Sequence, residues 1–449
     1  MSAASLPTLS SYAEWLQQTD DHAGHHLALV EQVQECLEQG WAKSPDSHTL
    51  AEKLERWRYQ LLNEHASNLT PRDAELAETL LRTATELRGQ GDRPVRRTVQ
   101  AVTGQGETSD AWSVVLEVLD LEYPLEPLIS RAQQKTAEVF ATTTSAHGPR
   151  WPMLLYAPLY VSSHCVNHCT YCGFRYTIDM DRRQLTMDEV DQQIHHLEQH
   201  GFGHILVVGG EFPRLTTADY YSEVVQRLGS RGIEPAIEIA PQSLSAYAQM
   251  AQAGACGLTL YQETYDEQLY AAYHPRGPKA NYYWRLESQD RAAEAGIGRV
   301  GFGVLLGLAD PEQDMLAMIR HASYLSQRFP ELKLSFGLPR IHEAPDDFTI
   351  PYRVSDEDLI RYYCTLRLAF PEATLVLSTR ETPELRNKLA QICITQLSAG
   401  SSTSPGGYGD DEPDGGEQFP ITDERSVRDV EAWLNEQGFP IVWKHDSPA

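Results

Sequence analysis

Positive charge is what this chain lacks most. Lys and Arg number 37 against 63 Asp and Glu, a formal net charge of −26 over 449 residues. Such a chain lacks the basic field that non-specific binding to nucleic acid or to an anionic membrane requires. Long apolar runs are missing too. The longest, around residues 153–161, contains Pro158 and falls short of the roughly 18 residues of a membrane-spanning helix. The first residues, MSAASLPTLSSYAEW, have neither a basic start nor an apolar stretch, so no secretory signal is expected there. Seven cysteines are too few for a disulfide scaffold in 449 residues. The expected setting is a reducing cytoplasm, with neither nucleic acid nor membrane as partner. Net charge does not exclude a local pocket for an anionic cofactor.

What is present divides the chain into four stretches. Residues 1–110 read as a helical N-terminal extension, because Leu27, Leu29, Val30, Val33 and Leu37, then Leu50, Leu54, Trp57, Leu61 and Leu62, recur at helical spacing. Thr70 and Pro71 read as cap and first-turn proline of a helix through Leu87. Glycine-rich stretches at 89–92 and 103–108 signal loops. The cluster Asp20, Asp21, His22, His25 and His26 is read as a solvated helix start rather than a metal site, since nothing nearby completes a ligand set. Residues 111–150 hold a helix over 125–140 that precedes the main domain.

From 151 to 400, short β-rich runs alternate with amphipathic helices. Strands are expected at 154–161, 204–208, 236–239, 257–261, 300–306, 332–337, 375–378 and 395–398, with helices at 187–199, 220–231, 244–253, 283–295, 315–329, 356–370 and 383–392. Strands separated by helices pair in parallel. The fold class expected is therefore α/β, a (β/α)8 TIM-type barrel with its site at the C-terminal ends of the strands. Residues 401–449 form a turn-rich acidic segment, a helix over 423–437 and a strand over 439–443, a short tail packed on the barrel.

The first expected strand runs into a loop carrying Cys165, Cys169 and Cys172, spaced C-x3-C-x2-C. Three thiolates on one loop suit a cluster with an open fourth position. Zinc with His164 or His168 as fourth ligand is the other reading, and placement after the first strand of a barrel favours the cluster. Cys36, Cys256, Cys364 and Cys393 lie among apolar neighbours and read as small buried hydrophobes.

This loop, with Tyr171 before the last cysteine, resembles the signature of the radical S-adenosylmethionine (SAM) superfamily. Its wider context from Pro158 to Phe174 resembles the ThiH/HydG branch, and the resemblance spans about residues 151–445. It implies that the three cysteines hold one [4Fe–4S] cluster and that SAM fills the open position. It also implies that an electron from a donor such as flavodoxin or ferredoxin then releases a 5′-deoxyadenosyl radical. Gly209, Gly210 and Glu211 end the second expected strand, resemble the motif that binds the SAM amino group, and have the chemistry for it: glycines admit a ligand, a carboxylate accepts from ammonium. By the same resemblance Glu263 takes ribose hydroxyls, Arg285 the SAM carboxylate, and Gly303 and Gly307 flank adenine. A surface ion pair of Arg285 with Glu287 or Asp290, and a packing role for the glycines, are the plainer readings. His274 and Arg276 stay unassigned. Arg340 is expected at the substrate carboxylate and Tyr160 at the substrate, or else as a core aromatic. Segments 378–381 and 398–408 resemble pieces that close the pocket.

The resemblance implies a lyase that cleaves the Cα–Cβ bond of L-tyrosine, or of another aromatic amino acid such as tryptophan, to 2-iminoacetate and p-cresol in the tyrosine case. It would serve thiamine thiazole synthesis, with thiazole synthase as a candidate partner. A HydG-like role in hydrogenase maturation and a zinc-stabilised binding module are the alternatives. HydG-type members carry a further cysteine-rich segment for a second cluster; here Cys393 is the last cysteine, so one cluster is expected. The N-terminal extension is expected to cap or pack rather than to dock a partner.

Overall fold

The computed structural model describes residues 122–445 except 346–347 and 410–415, together with helices and single positions between 9 and 120. Its centre is a ring of eight parallel strands: β3 (Met153–Ser162), β4 (His204–Gly209), β5 (Glu234–Glu238), β6 (Gly257–Thr259), β7 (Arg299–Phe302), β8 (Lys333–Gly337), β9 (Thr374–Leu377) and β10 (Gln396–Ser398). Each strand pairs with the next, and β10 pairs with β3, Gln396 opposite Leu154, which closes the barrel. A hairpin of β1 (Thr143–Ser145) and β2 (Gly148–Arg150) leads into it. A short β11 (Ile441–Val442) takes the edge of β3 at Met153 and Leu154, below Ala157 where β4 begins to pair.

Local chemistry starts the outer helices where they are needed. Thr186, Thr217, Ser243, Ser355 and Thr382 each accept a backbone N–H at the start of the helix that follows. Asp310 does the same ahead of Pro311. Such caps satisfy orphan donors and are worth about 0.5–2 kcal/mol each. With short loops they fix each helix directly after its strand, so the apolar faces fold back on the barrel. Buried side chains of strands and helices then form one core, from Val115 to Phe439.

All eight barrel strands stand where the sequence places them. The helix expected over 283–295 is broken at Glu287 into Tyr282–Leu286 and Ser288–Glu294. The break is held by buried polar contacts: Arg291 stacks on the Trp284 ring at 3.6 Å, pairs with Glu287 at 3.3 Å and donates to the Trp284 carbonyl at 2.7 Å. Helices Ala111–Leu119 and Glu267–Tyr273 and the hairpin were not anticipated.

Toward the N-terminus, described residues from Leu9 to Leu87 form a separate hydrophobic cluster. His26 stacks on Trp57 there, with centroids 4.2 Å apart; Asp20, Asp21 and His22 lie outside the described residues. Val102 packs with Tyr270, Tyr282 and Leu286, and the Thr98 hydroxyl donates to Asp290 at 3.1 Å. Among the described residues, no helix is long and apolar enough to cross a membrane.

Candidate active site

The C-terminal ends of β3 to β6 bring the expected residues together. The loop after β3 carries the three cysteines as free thiols, Cys169 and Cys172 buried and Cys165 partly so. Gly210, just past β4, lies against this loop: a Cβ there would come within 2.4 Å of the His164 carbonyl oxygen and 3.3 Å of the Cys165 Cβ. A Cβ on Gly209 would strike the Tyr221 hydroxyl at 2.5 Å. Only glycine permits this approach of the two loops. Glu211 is buried, and its carboxylate accepts from the Asn167 side chain, while its carbonyl accepts from Val166 N–H at 2.9 Å.

Beyond β6, Glu263 has φ +73°, the one positive φ outside glycine among the described residues. Such a conformation costs roughly 1–3 kcal/mol and persists where its surroundings over-determine it. Here they do: Lys279 Nζ is 2.7 Å and Arg285 Nη2 3.0 Å from Glu263 Oε1. Burial pushes the Glu263 carboxyl up, but the two cations outweigh it and the group ends below its ordinary value. Arg285 Nε also donates to the Tyr261 carbonyl at 2.7 Å. Arg285 is thus buried inside the site, not paired at the surface with Glu287 or Asp290.

Tyr171 is buried and placed by two neighbours. Its hydroxyl is 2.9 Å from His274 Nε2, and Lys279 Nζ lies 5.7 Å from its ring centroid. His274 Nδ1 meets the Tyr270 carbonyl at 2.7 Å. A carbonyl only accepts, so Nδ1 carries the proton and Nε2 accepts from Tyr171. Burial holds the His274 pKa well below the usual value, and nearby Lys279 adds to it. Gly303 has a packing reason of its own: Tyr261 atoms would lie 2.3 Å from a Cβ there. Gly307 has φ +120° in a turn. Between them, Leu305 packs in the cluster that contains Cys169 and Cys172.

Inside the barrel mouth lies a cavity bordered by Tyr156, Tyr160, Glu238, Tyr261 and Arg380. The Tyr160 hydroxyl donates to Gln418 at 2.7 Å, and its ring meets Phe174 edge-on. Arg340 does not border this cavity. Its Nε and Nη2 grip Glu381, Nη2 also meets Asp356 at 2.8 Å, and Nη1 donates to the Val354 carbonyl at 3.0 Å. That leaves it committed to protein partners rather than to a substrate carboxylate. Arg380 is placed differently. Its guanidinium lies over the Phe419 ring at 3.5 Å, and among the described residues it makes no hydrogen bond or ion pair. Across the cavity, burial pushes the Glu238 carboxyl up to about 7, against the pull of Arg380.

Comparison with known proteins agrees with this geometry. The model of the radical SAM superfamily matches residues 159–322, and that of the biotin and thiamin synthesis associated domain matches 337–440. The 2-iminoacetate synthase of Escherichia coli K12 is 35% identical over 321 residues, 71% of this chain and 82% of that protein. The chain belongs to the radical SAM superfamily. Among solved structures, a HydG maturase of the [FeFe]-hydrogenase superposes with TM-score 0.68 at 30% identity, over 89% of this chain and 81% of that one. Methylornithine synthase superposes with TM-score 0.59 at 20% identity, over 77% and 97%, which shows the shared fold.

The radical SAM cofactors fit the residues present. Burial pushes all three thiols up, Cys165 to about 11, so a bound cation is what would hold them as thiolates. Three thiols on one loop are one ligand short of a closed structural zinc site and leave the open position that a cluster with a further ligand needs.

Asn167, His274, Lys279 and Glu238 were given no role from the sequence, and Arg380 entered only within the pocket-closing segment 378–381. Glu238 ends one strand of the barrel and Arg380 follows another, where the fold rule directs attention. For Asn167, His274 and Lys279 only the folded neighbours give the signal.

Proposed function

We propose that this chain is a radical SAM carbon–carbon lyase acting on an aromatic amino acid, L-tyrosine, with cleavage of the Cα–Cβ bond to 2-iminoacetate and p-cresol. Its likeness to 2-iminoacetate synthase supports the reaction class. The observation that carries the substrate reading is Arg380: a guanidinium with no hydrogen bond or ion pair among the described residues, over an aromatic ring, in a cavity lined by tyrosines.

In this reading Cys165, Cys169 and Cys172 hold one [4Fe–4S] cluster. Glu211, Glu263 and Arg285 supply polar contacts to SAM, framed by Tyr171, Gly209, Gly210, Gly303 and Gly307. When bound, the two cofactors supply the hydrogen-abstracting radical, with flavodoxin or ferredoxin as electron donor. The chain's own share is positioning. Arg380 replaces Arg340 as the proposed carboxylate anchor, because all three guanidinium nitrogens of Arg340 are already engaged by Glu381, Asp356 and the Val354 carbonyl. Glu238, held near neutrality, accepts from or donates to the amino end, and Tyr160 borders the ring. Arg340 keeps the loop of Glu381, next to Arg380, in place.

Binding separates the two arginines. Losing a charge-assisted contact costs about 2–5 kcal/mol, so Arg380→Ala weakens tyrosine at least about 30-fold and leaves SAM affinity unchanged. If Arg340→Ala weakened tyrosine while Arg380→Ala did not, Arg340 would be the anchor.

A further inference from the structure

The opposite end of the barrel carries a cluster that the chemistry at the mouth does not use. His204 opens β4 and Glu234 opens β5, so both stand at the N-terminal ends of strands. The tail returns to this end. β11 pairs with β3, and three residues beyond it His445 meets the same two strand starts. The rings of His204 and His445 lie 4.5 Å apart, nearly perpendicular. Glu234 Oε2 accepts from the His445 backbone N–H at 2.9 Å and lies 3.2 Å from His445 Nδ1. His204 Nδ1 lies 3.1 Å from the Glu234 carbonyl oxygen.

Glu234 Oε2 and His445 Nδ1, 3.2 Å apart, already stand at the spacing of two ligands on one tetrahedral ion, which would take the place of the proton they share. The Nε2 of His445 is buried and has no hydrogen-bond partner, so no other group competes for that ring. Both histidines border a cavity of about 30 Å³ in the lower barrel, room enough for an ion or a water. One ligand atom from each of His204, Glu234 and His445 lies within 4.8 Å of the other two.

We propose that His204, Glu234 and His445 form a site for a zinc-class divalent cation at the floor of the barrel, separate from the cysteine loop, with water as fourth ligand. Two imidazoles and a carboxylate are a zinc ligand set, and nitrogen donors select against magnesium and calcium. Ligands about 2.1 Å from a tetrahedral ion stand about 3.4 Å apart, so the set closes by at most about 1.4 Å on binding. The ion joins the tail to the starts of β4 and β5 and acts as a staple, not in turnover. Arg299 borders the same cavity and opposes a cation, so the zinc exchanges against a chelator.

The test uses cluster-loaded protein, equilibrated anaerobically with zinc chloride, freed of excess metal and analysed for zinc and iron. One zinc per chain is expected beside the cluster iron. His445→Ala and Glu234→Gln lose the zinc and keep the iron; Cys169→Ala loses the iron and keeps the zinc. Added zinc raises the Tm of the wild-type protein and not that of His445→Ala. A normal iron content in His445→Ala shows that the barrel is folded, so zinc loss there reads the site itself. The proposal is overturned if the wild-type protein binds no zinc, if both variants retain it, or if it disappears with Cys169→Ala.

Discussion

Cys169 and Cys393 are both buried and both lie beside barrel strands, yet only the first is proposed as a cluster ligand. Cys169→Ala is expected to abolish cluster assembly and 5′-deoxyadenosine formation, read from the absorbance near 400 nm and by chromatography. Cys393→Ala should leave both in place. Arg340→Ala carries a different expectation. Among the described residues it leaves Glu381 buried with only His342, 3.2 Å away, as an ionic partner, and removing one member of a buried pair costs about 3–5 kcal/mol. Urea unfolding should show that loss, with tyrosine affinity kept in the fraction that folds. The cysteine loop and the Gly-Gly-Glu turn were legible in the sequence because their chemistry is local: three thiols in eight residues, and two glycines before a carboxylate. Arg340 and Arg380 were not separable there. Both follow barrel strands, and only their partners among the described residues, Glu381 and Asp356 against an aromatic face, tell the two arginines apart.

Strands were legible because eight apolar runs recur between amphipathic helices whose caps are written in the sequence, such as Thr186 with Glu189 and Ser355 with Asp358. The break at Glu287 was not, because the residues on either side keep helical character and the cause is the buried stacking of Arg291 on Trp284. The hairpin was missed because its strands have three residues each and are largely exposed, which leaves no apolar alternation to detect. The segment after β10 is tied back by Asp423, fully buried and paired with Arg386 and Arg425. Burial pushes the Asp423 carboxyl up, but the two arginines outweigh it and its pKa falls below the ordinary value. A carboxyl depressed in the folded state stabilises above its unfolded pKa, near 3.9, and loses that contribution as pH falls through the lower folded value. Asp423→Asn should therefore cost about 3–5 kcal/mol at neutral pH, and its deficit against the wild-type protein should shrink as pH is lowered below about 4. A deficit that stays constant across that range would show that the ion pair contributes nothing.

For the molecule as a whole, the barrel, the cysteine loop and the likeness to 2-iminoacetate synthase support the proposed single cluster and the proposed reaction. Reconstitution should give about four irons per chain on the cysteine loop; a reproducible value near eight, or carbon monoxide released during turnover, would assign a HydG-like role instead. The most direct measurement is anaerobic turnover of the reconstituted protein with SAM, a reductant and L-tyrosine, with the products identified. The account predicts p-cresol together with glyoxylate, the hydrolysis product of 2-iminoacetate, formed in step with 5′-deoxyadenosine. Tyrosine left intact while L-tryptophan is cleaved under the same conditions would contradict it.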